Sequence, residues 1–216
     1  MNANNDIYLI GVGNYTEVII ELAQECGYNV IGLYHYNSSR NGEIVMDIPI
    51  LSSFETLLAT KDIKNINFAV TVGENLKRGE IASLIRKNGG KTPSLVHPLS
   101  KVAISSKFDT GCFIHAFSNL WTKASLGSDC IIGPYALISH HASIKDSCYV
   151  TSSSIVGSYT LVGKNTFVGL NSIILPALRI GENCFIGAKS NVTKSFVSNS
   201  KVKGNPAKQI KPSNEI

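Results

Sequence analysis

The chain has 216 residues, 44% hydrophobic and 16% charged, with a formal net charge of +5. That balance fits a soluble globular protein of one or two domains. The basic stretches KNGGK and KVKGNPAKQIK are short and lack interleaved aromatics, which argues against a nucleic-acid partner and suits small phosphorylated anions instead. The opening MNANNDIYLIGVG has no basic leader, and its apolar run is too short to cross a bilayer. The expected location is the cytoplasm, with no membrane partner. Five cysteines without a CxxC argue against a disulfide framework or a metal site.

From Asp6 to Thr92 strand-like and helix-like segments alternate. IYLI reads as a short apolar strand followed by GVGN. A helix is predicted from Tyr15 to Cys26, with Val18, Ile19, Leu22, Ala23 and Cys26 on its apolar face and Gly27 just past its end. NVIGLY is a second strand, and SSFETLLAT a short helix capped by Ser52 or Ser53. INFAVTV is then a strand, and ENLKRGEIASLIRKN a helix ending at Gly89–Gly90. Such alternation implies a parallel sheet with helices packed on it.

After Pro93 the period changes. Steps of six from Val96 land on Val102, Phe108, Ile114, Leu120, Leu126, Ile132, Ile138, Ile144, Val150, Val156, Val162, Val168, Ile174, Ile180, Ile186 and Val192, all apolar. Chance would give this about once in a million trials, so the spacing decides the architecture. Four residues after each stop stands Ser, Ala, Cys or Thr, except at Leu178 and Phe196. These are hexapeptide repeats of a parallel β-helix. Three hexads close one triangular coil, with the stop and the small residue inside and the two turn residues outside. At the usual strand spacing the coils form a rod roughly 27 Å long.

Cys112, Cys130 and Cys148 recur every coil, with Cys184 two coils further and Thr166 in the gap. They read as small residues stacked inside one corner rather than as a thiolate or metal ladder. Cys26 reads as helix core. His140 and His141, in ISHHASIKD, fall on the two outward turn positions of the hexad opened by Ile138. Thr122–Lys123 and Ser158–Tyr159 occupy the same corner one coil away. An outward imidazole can take up a proton near neutral pH, whereas the bland reading is two solvated surface residues.

The hexads, the Gly-rich N-terminal βα unit and the terminal GNPAK together resemble one family over nearly the whole chain. It is the bacterial nucleotide-sugar acetyltransferases with a Rossmann-like N-terminal domain and a left-handed β-helix, including the N-acetyltransferases of 4-amino-dideoxy sugars and sialic-acid O-acetyltransferase-like proteins. The resemblance implies that the coil is left-handed, against the general rule for parallel crossovers. It implies domains at 1–92 and 93–197 with a tail at 198–216. It implies a homotrimer with acetyl-CoA in the groove between neighbouring prisms, and no metal. ISHHA aligns His140 with the family's catalytic base, with His141 standing where the family has an acidic neighbour. A second histidine of some relatives falls at Tyr149, and Asp146 lies on a different corner.

The resemblance also places the nucleotide diphosphate on the GVGNYTE loop, at Gly11, Gly13, Asn14 and Tyr15, with the base near His35 and Tyr36. Thr16 stands where a GxGxxG fingerprint has its third Gly, and the second strand ends without the acid that binds a ribose in NAD sites. CoA contacts are implied at Gly157, Ser158 and Ala188, with Lys208 near a phosphate. The expected activity is N-acetylation of a dTDP- or UDP-linked 4-amino-4,6-dideoxy sugar for surface-glycan synthesis. The alternatives are O-acetylation, which needs a stronger base, and a non-catalytic sugar-nucleotide-binding trimer. A zinc hydratase needs three converging histidines, which His140, His141 and the distant His115 do not supply.

Overall fold

The computed structural model describes residues 5–35 and 38–210. The chain divides into two compact units, residues 1–97 and 98–216.

In the first unit β1 (Asp6–Ile10), α1 (Asn14–Glu25), β2 (Asn29–His35), β3 (Ile44–Val45), β4 (Ile48–Ser53), α2 (Phe54–Thr60), β5 (Asn67–Val70) and α3 (Asn75–Lys87) follow in order. The sheet runs β3-β4-β2-β1-β5, parallel except for the β3–β4 pair. The predicted alternation holds, with two differences. The strand β4 was not foreseen, because Pro49 breaks the donor row that marks a strand in sequence. The apolar face of α1 is also rotated from the expected one. Thr16, Ile19, Ile20, Leu22 and Ala23 are buried, whereas Val18 is 44% exposed. Cys26 is not core: it is half-buried and ends the helix, its N–H donating to Leu22 O. The helix buries the ridge at 16, 19, 20 and 23, the i, i+3, i+4, i+7 stripe, and Val18 and Cys26 fall off it. Ser53 caps α2, its Oγ accepting from Thr56 N at 3.0 Å.

The second unit is a left-handed β-helix of two-residue strands. Strands pair in parallel at a separation of one coil, as Asn119 with Leu137 and Leu137 with Ile155. Every stop from Leu120 to Val192 is buried. The second turn residue of each hexad sits at positive φ, from Phe117 through Lys123, His141 and Tyr159 to Lys189. This left-handed kink, repeated every six residues, turns the chain at each corner.

Small residues inside the corners satisfy the carbonyls of the next coil. Cys112, Cys130 and Cys148 donate their thiols to Gly127 O, Lys145 O and Gly163 O, each at 3.1 Å. Thr166 continues the column by donating to Gly181 O at 2.9 Å. The four corner cysteines are buried, as their spacing predicted.

The six-residue register stops at Val192. Phe196 then bridges Ile180, and Val202 pairs with Ile186. Phe196 takes the part of a hexad's first residue, with Asn199 at positive φ and Ser200 buried after it. The last coil is two residues short. Phe196 is therefore not a misfit at the small position: it opens a new frame.

Candidate functional site

The β1–α1 loop of the first unit is built around two threonines. Thr16 Oγ1 donates to Gly11 O at 3.1 Å and meets Thr71 Oγ1 at 2.8 Å, while Gly13 N donates back to Thr16 Oγ1 at 3.1 Å. Thr16 is fully buried, so at the place of a third glycine a hydroxyl holds helix to strand. Gly11 has φ +119, and a Cβ there would meet Thr71 Oγ1 at 2.6 Å. Glycine is required. Gly13 and Asn14 are exposed, Tyr15 is half-buried, and space beside Gly13 is open.

The sheet order places its switch point between β1 and β5, because later strands cross from the β2 side to the β5 side there. Crevices at such points, beyond the carboxyl ends of strands, are where open α/β sheets take ligands. The loops after β1 and β5 flank it. Arg78, 1% exposed, shapes the second loop by donating to Val72 O, Gly73 O and Asn75 Oδ1. His35 ends β2, in the strand beside β1. Tyr36 lies outside the described residues. Sequence reasoning missed Arg40, which donates to Val12 O at 3.1 Å and pairs with Glu43 at 2.7 Å. The hydrogen bond from Arg40 keeps the Glu43 carboxyl below the usual carboxylate range. The arginine lies in a stretch where no element was predicted.

In the second unit His140 and His141 share a corner edge with Thr122–Lys123 below and Ser158–Tyr159 above, as the spacing predicted. His141 N donates to Thr122 O at 3.0 Å, and Tyr159 N to His140 O at 3.2 Å. Both imidazoles are half-buried. Their Nδ1 atoms are 3.1 Å apart. The His141 ring stacks on Tyr159 at 4.7 Å and 15°, and His140 stands edge-on to both. Asp146 turns on another edge and accepts from Ser128 N at 3.0 Å. Tyr149 packs edge-on against Phe167 on a third face.

Of the residues expected to contact CoA, Gly157 and Ser158 lie one coil above the histidines on the same edge. Ala188 is on a neighbouring edge, and Lys208 pairs with Lys203 in a hairpin after the last coil. A groove of about 460 Å³ runs over the face that follows the histidine edge, lined by Lys145, Leu161, Arg179, Phe196 and glycines 163 and 181 among others. It offers the cations of Lys145 and Arg179, one carboxylate, Glu182, which pairs with Lys164 at 3.6 Å, and an apolar floor. A step of 18 residues joins 145 to 163 and 181, and 161 to 179, so the repeat carried the signal for it. Among the described residues no group of three or more His, Cys, Asp or Glu side chains is placed to hold a metal ion.

Two family models match, the PglD N-terminal domain over residues 6–85 and the GMPPB C-terminal domain over residues 94–216. No curated protein matches by sequence. Among solved structures, a histidine-to-asparagine mutant of perosamine N-acetyltransferase from Caulobacter crescentus, with CoA and GDP-perosamine, superposes with a TM-score of 0.90. It is 22% identical, over 97% of this chain and 98% of that one. The acetyltransferase domain of PglB from Neisseria gonorrhoeae, with acetyl coenzyme A, gives 0.88 at 22% identity, over 96% and 100%. A mutant of AntD, an N-acyltransferase from Bacillus cereus with dTDP and coenzyme A, gives 0.52 at 20%, over 60% and 87%.

Proposed function

The chain belongs to the family of the GMPPB C-terminal domain and carries a PglD-type N-terminal domain ahead of it, and we propose that it acetylates the amine of a nucleotide-linked 4-amino-4,6-dideoxy sugar from acetyl-CoA. The observation that carries this reading is the His140–His141 pair, outward on one edge of the β-helix beside a groove that holds Lys145 and Arg179. Solved neighbours of the same fold hold CoA, and one of them GDP-perosamine.

In this reading the nucleotide diphosphate lies against Gly11, Gly13, Asn14 and Tyr15 at the start of α1, where the helix dipole favours an anion. The base is assigned to the end of β2, at His35 and at Tyr36, which lies outside the described residues; thymine, uracil and the guanine of the perosamine neighbour are the candidates. Acetyl-CoA runs past Gly157 and Ser158, with its phosphates toward Lys145 and Arg179 in the groove and Lys208 beyond. Ala188 joins from the neighbouring edge.

The sugar amine attacks the thioester carbonyl carbon while His140 Nε2 takes its proton. Backbone N–H groups steady the oxyanion. The C–S bond then breaks, and the CoA thiolate recovers the proton from His140. An amine is already nucleophilic, so positioning supplies much of the acceleration, which favours an amine over a hydroxyl acceptor.

The exposed outward side chains Leu170, Ile173 and Leu175 supply an apolar stripe for the homotrimer in which CoA sits between prisms. No helix among the described residues is long and apolar enough to cross a membrane, in keeping with a cytoplasmic site of action. The domain limits 1–92, 93–197 and 198–216 belong to the same reading.

The test is thiol release from acetyl-CoA with a panel of dTDP-, UDP- and GDP-linked 4-amino-dideoxy sugars, alongside light scattering for the oligomer. Turnover with one amine donor is expected. Tight nucleotide-sugar binding without release from any amine would move the assignment to a hydroxyl acceptor or a binding module.

A further inference from the structure

We infer that His140 and His141 act as one dyad sharing a proton between their Nδ1 atoms, with His141 the positioning residue that fixes the tautomer of His140 and Tyr159 the ring that holds His141. The inference rests on the transfer reading above and names the group that replaces an acidic partner in this chain.

The contact itself restricts the protonation state. At 3.1 Å one Nδ1 carries hydrogen and the other offers a lone pair. Two hydrogens would collide, and none would leave two lone pairs facing. The donor ring then has its own lone pair on Nε2. His140 is the donor: in that arrangement its Nε2 is free to take the amine proton, while His141 is protonated at Nε2.

Three contacts hold His141 in place. Its backbone is held at φ 59, its N–H is bonded to Thr122 O, and its ring lies on Tyr159. Tyr159 N in turn donates to His140 O, so the three residues are tied across two coils. No carboxylate occupies this edge, whose other turns carry Ile104–Ser105, Thr122–Lys123, Ser158–Tyr159, Pro176–Ala177 and Lys194–Ser195. The titratable neighbours in the adjoining turns are Lys123 and Tyr159.

When the N–C bond forms, the amine proton reaches His140 Nε2 and the dyad becomes a monocation. The Nδ1 proton shifts toward His141, whose charge faces the Tyr159 π surface at a separation within cation–π range. When the C–S bond breaks, the thiolate takes the Nε2 proton and the Nδ1 proton returns. A second added proton would place hydrogens on both Nδ1 atoms and end the bond.

The experiment uses the full chain labelled with ¹⁵N-histidine, with two-bond ¹H–¹⁵N spectra to read each tautomer. Wild type is expected to show His140 as the Nδ1–H form and His141 as the Nε2–H form. His141→Phe keeps a ring on Tyr159 and suits the backbone, since Phe117 holds φ 59 at the equivalent position. It should move His140 toward Nε2–H and lower kcat about tenfold or more, with KM for acetyl-CoA unchanged. His141→Asp restores an acceptor and should return His140 to Nδ1–H with most of kcat. An Nε2–H His140 in wild type, or equal kcat losses in the Phe and Asp variants, would overturn the dyad. If no variant or wild type transfers acetyl, the tautomer spectra still decide the dyad, and it is the transfer reading that fails.

Discussion

The Oγ1 atoms of Thr16 and Thr71 meet at 2.8 Å, joining the first turn of α1 to the end of β5 across the sheet's switch point. Thr71 Oγ1 also lies 3.2 Å from Ile10 O, and the two hydroxyl hydrogens are shared among Gly11 O, Ile10 O and the partner hydroxyl, so one buried hydroxyl pair fixes the β1–α1 loop. Thr16→Val keeps the shape and removes the hydroxyl, leaving Gly11 O and Gly13 N without this partner. The expected loss is about 1–3 kcal/mol of stability in urea unfolding. KM for the nucleotide sugar should rise while kcat is little changed. An unchanged KM would remove this loop from the sugar-nucleotide site.

Replacing His140 separates chemistry from binding. His140→Ala is expected to lower kcat about a hundredfold or more, the usual contribution of a general base, while calorimetry shows CoA binding retained. Turnover that survives the substitution would reduce the edge to a positioning element.

The groove makes a separate prediction. Arg179→Ala or Lys145→Ala should raise KM for acetyl-CoA about tenfold, in line with losing one charge-assisted contact. KM for acetyl-pantetheine, which lacks the phosphates, should be unmoved. Equal effects on both donors would mean that the groove does not read the phosphates.

The register of the β-helix was legible because its interior admits one kind of residue at each place. Apolar stops and small corner residues are steric requirements that repeat with the coil. The edge shared by His140, Ser158 and Tyr159 followed from that spacing alone. The reset at Phe196 did not, since a rule that steps by six continues to Ser198, which is exposed. The shortened coil shows only in the pairing of Ile186 with Val202. The contact between the two imidazoles was likewise hidden. Spacing put both side chains outward, but ring orientation depends on Tyr159, a residue of the next coil. Arg40 was missed because its link to Val12 is a backbone contact from a segment with no periodicity.

Gly157 shows how little room lies between coils. A Cβ there would come within 2.6 Å of Pro176 N and 2.7 Å of Ile174 O. Gly157→Ala must therefore push the neighbouring backbone, at a cost of about 1–3 kcal/mol. The displaced turn carries Ser158 and Tyr159, so the His141 stacking should loosen as well. A lower urea midpoint together with reduced kcat is expected. A loss of stability with kcat intact would show that the site tolerates movement of this edge.

The buried thiols make stability fall in alkali. The hydrogen bond with Cys130 and then burial push the Cys112 thiol well above its ordinary range, and burial does the same to Cys130. In the unfolded chain both ionise from about pH 8.5, whereas in the fold they keep their protons to higher pH. The unfolded state therefore binds fewer protons across that window. Stability from this source is complete below about pH 8.5 and is lost as pH rises toward the folded values. Urea midpoints measured from pH 7.5 to 10 should decline more steeply for wild type than for Cys112→Ser/Cys130→Ser, whose hydroxyls do not ionise there. Parallel curves would show that the decline comes from other groups and that the two thiols titrate alike in both states.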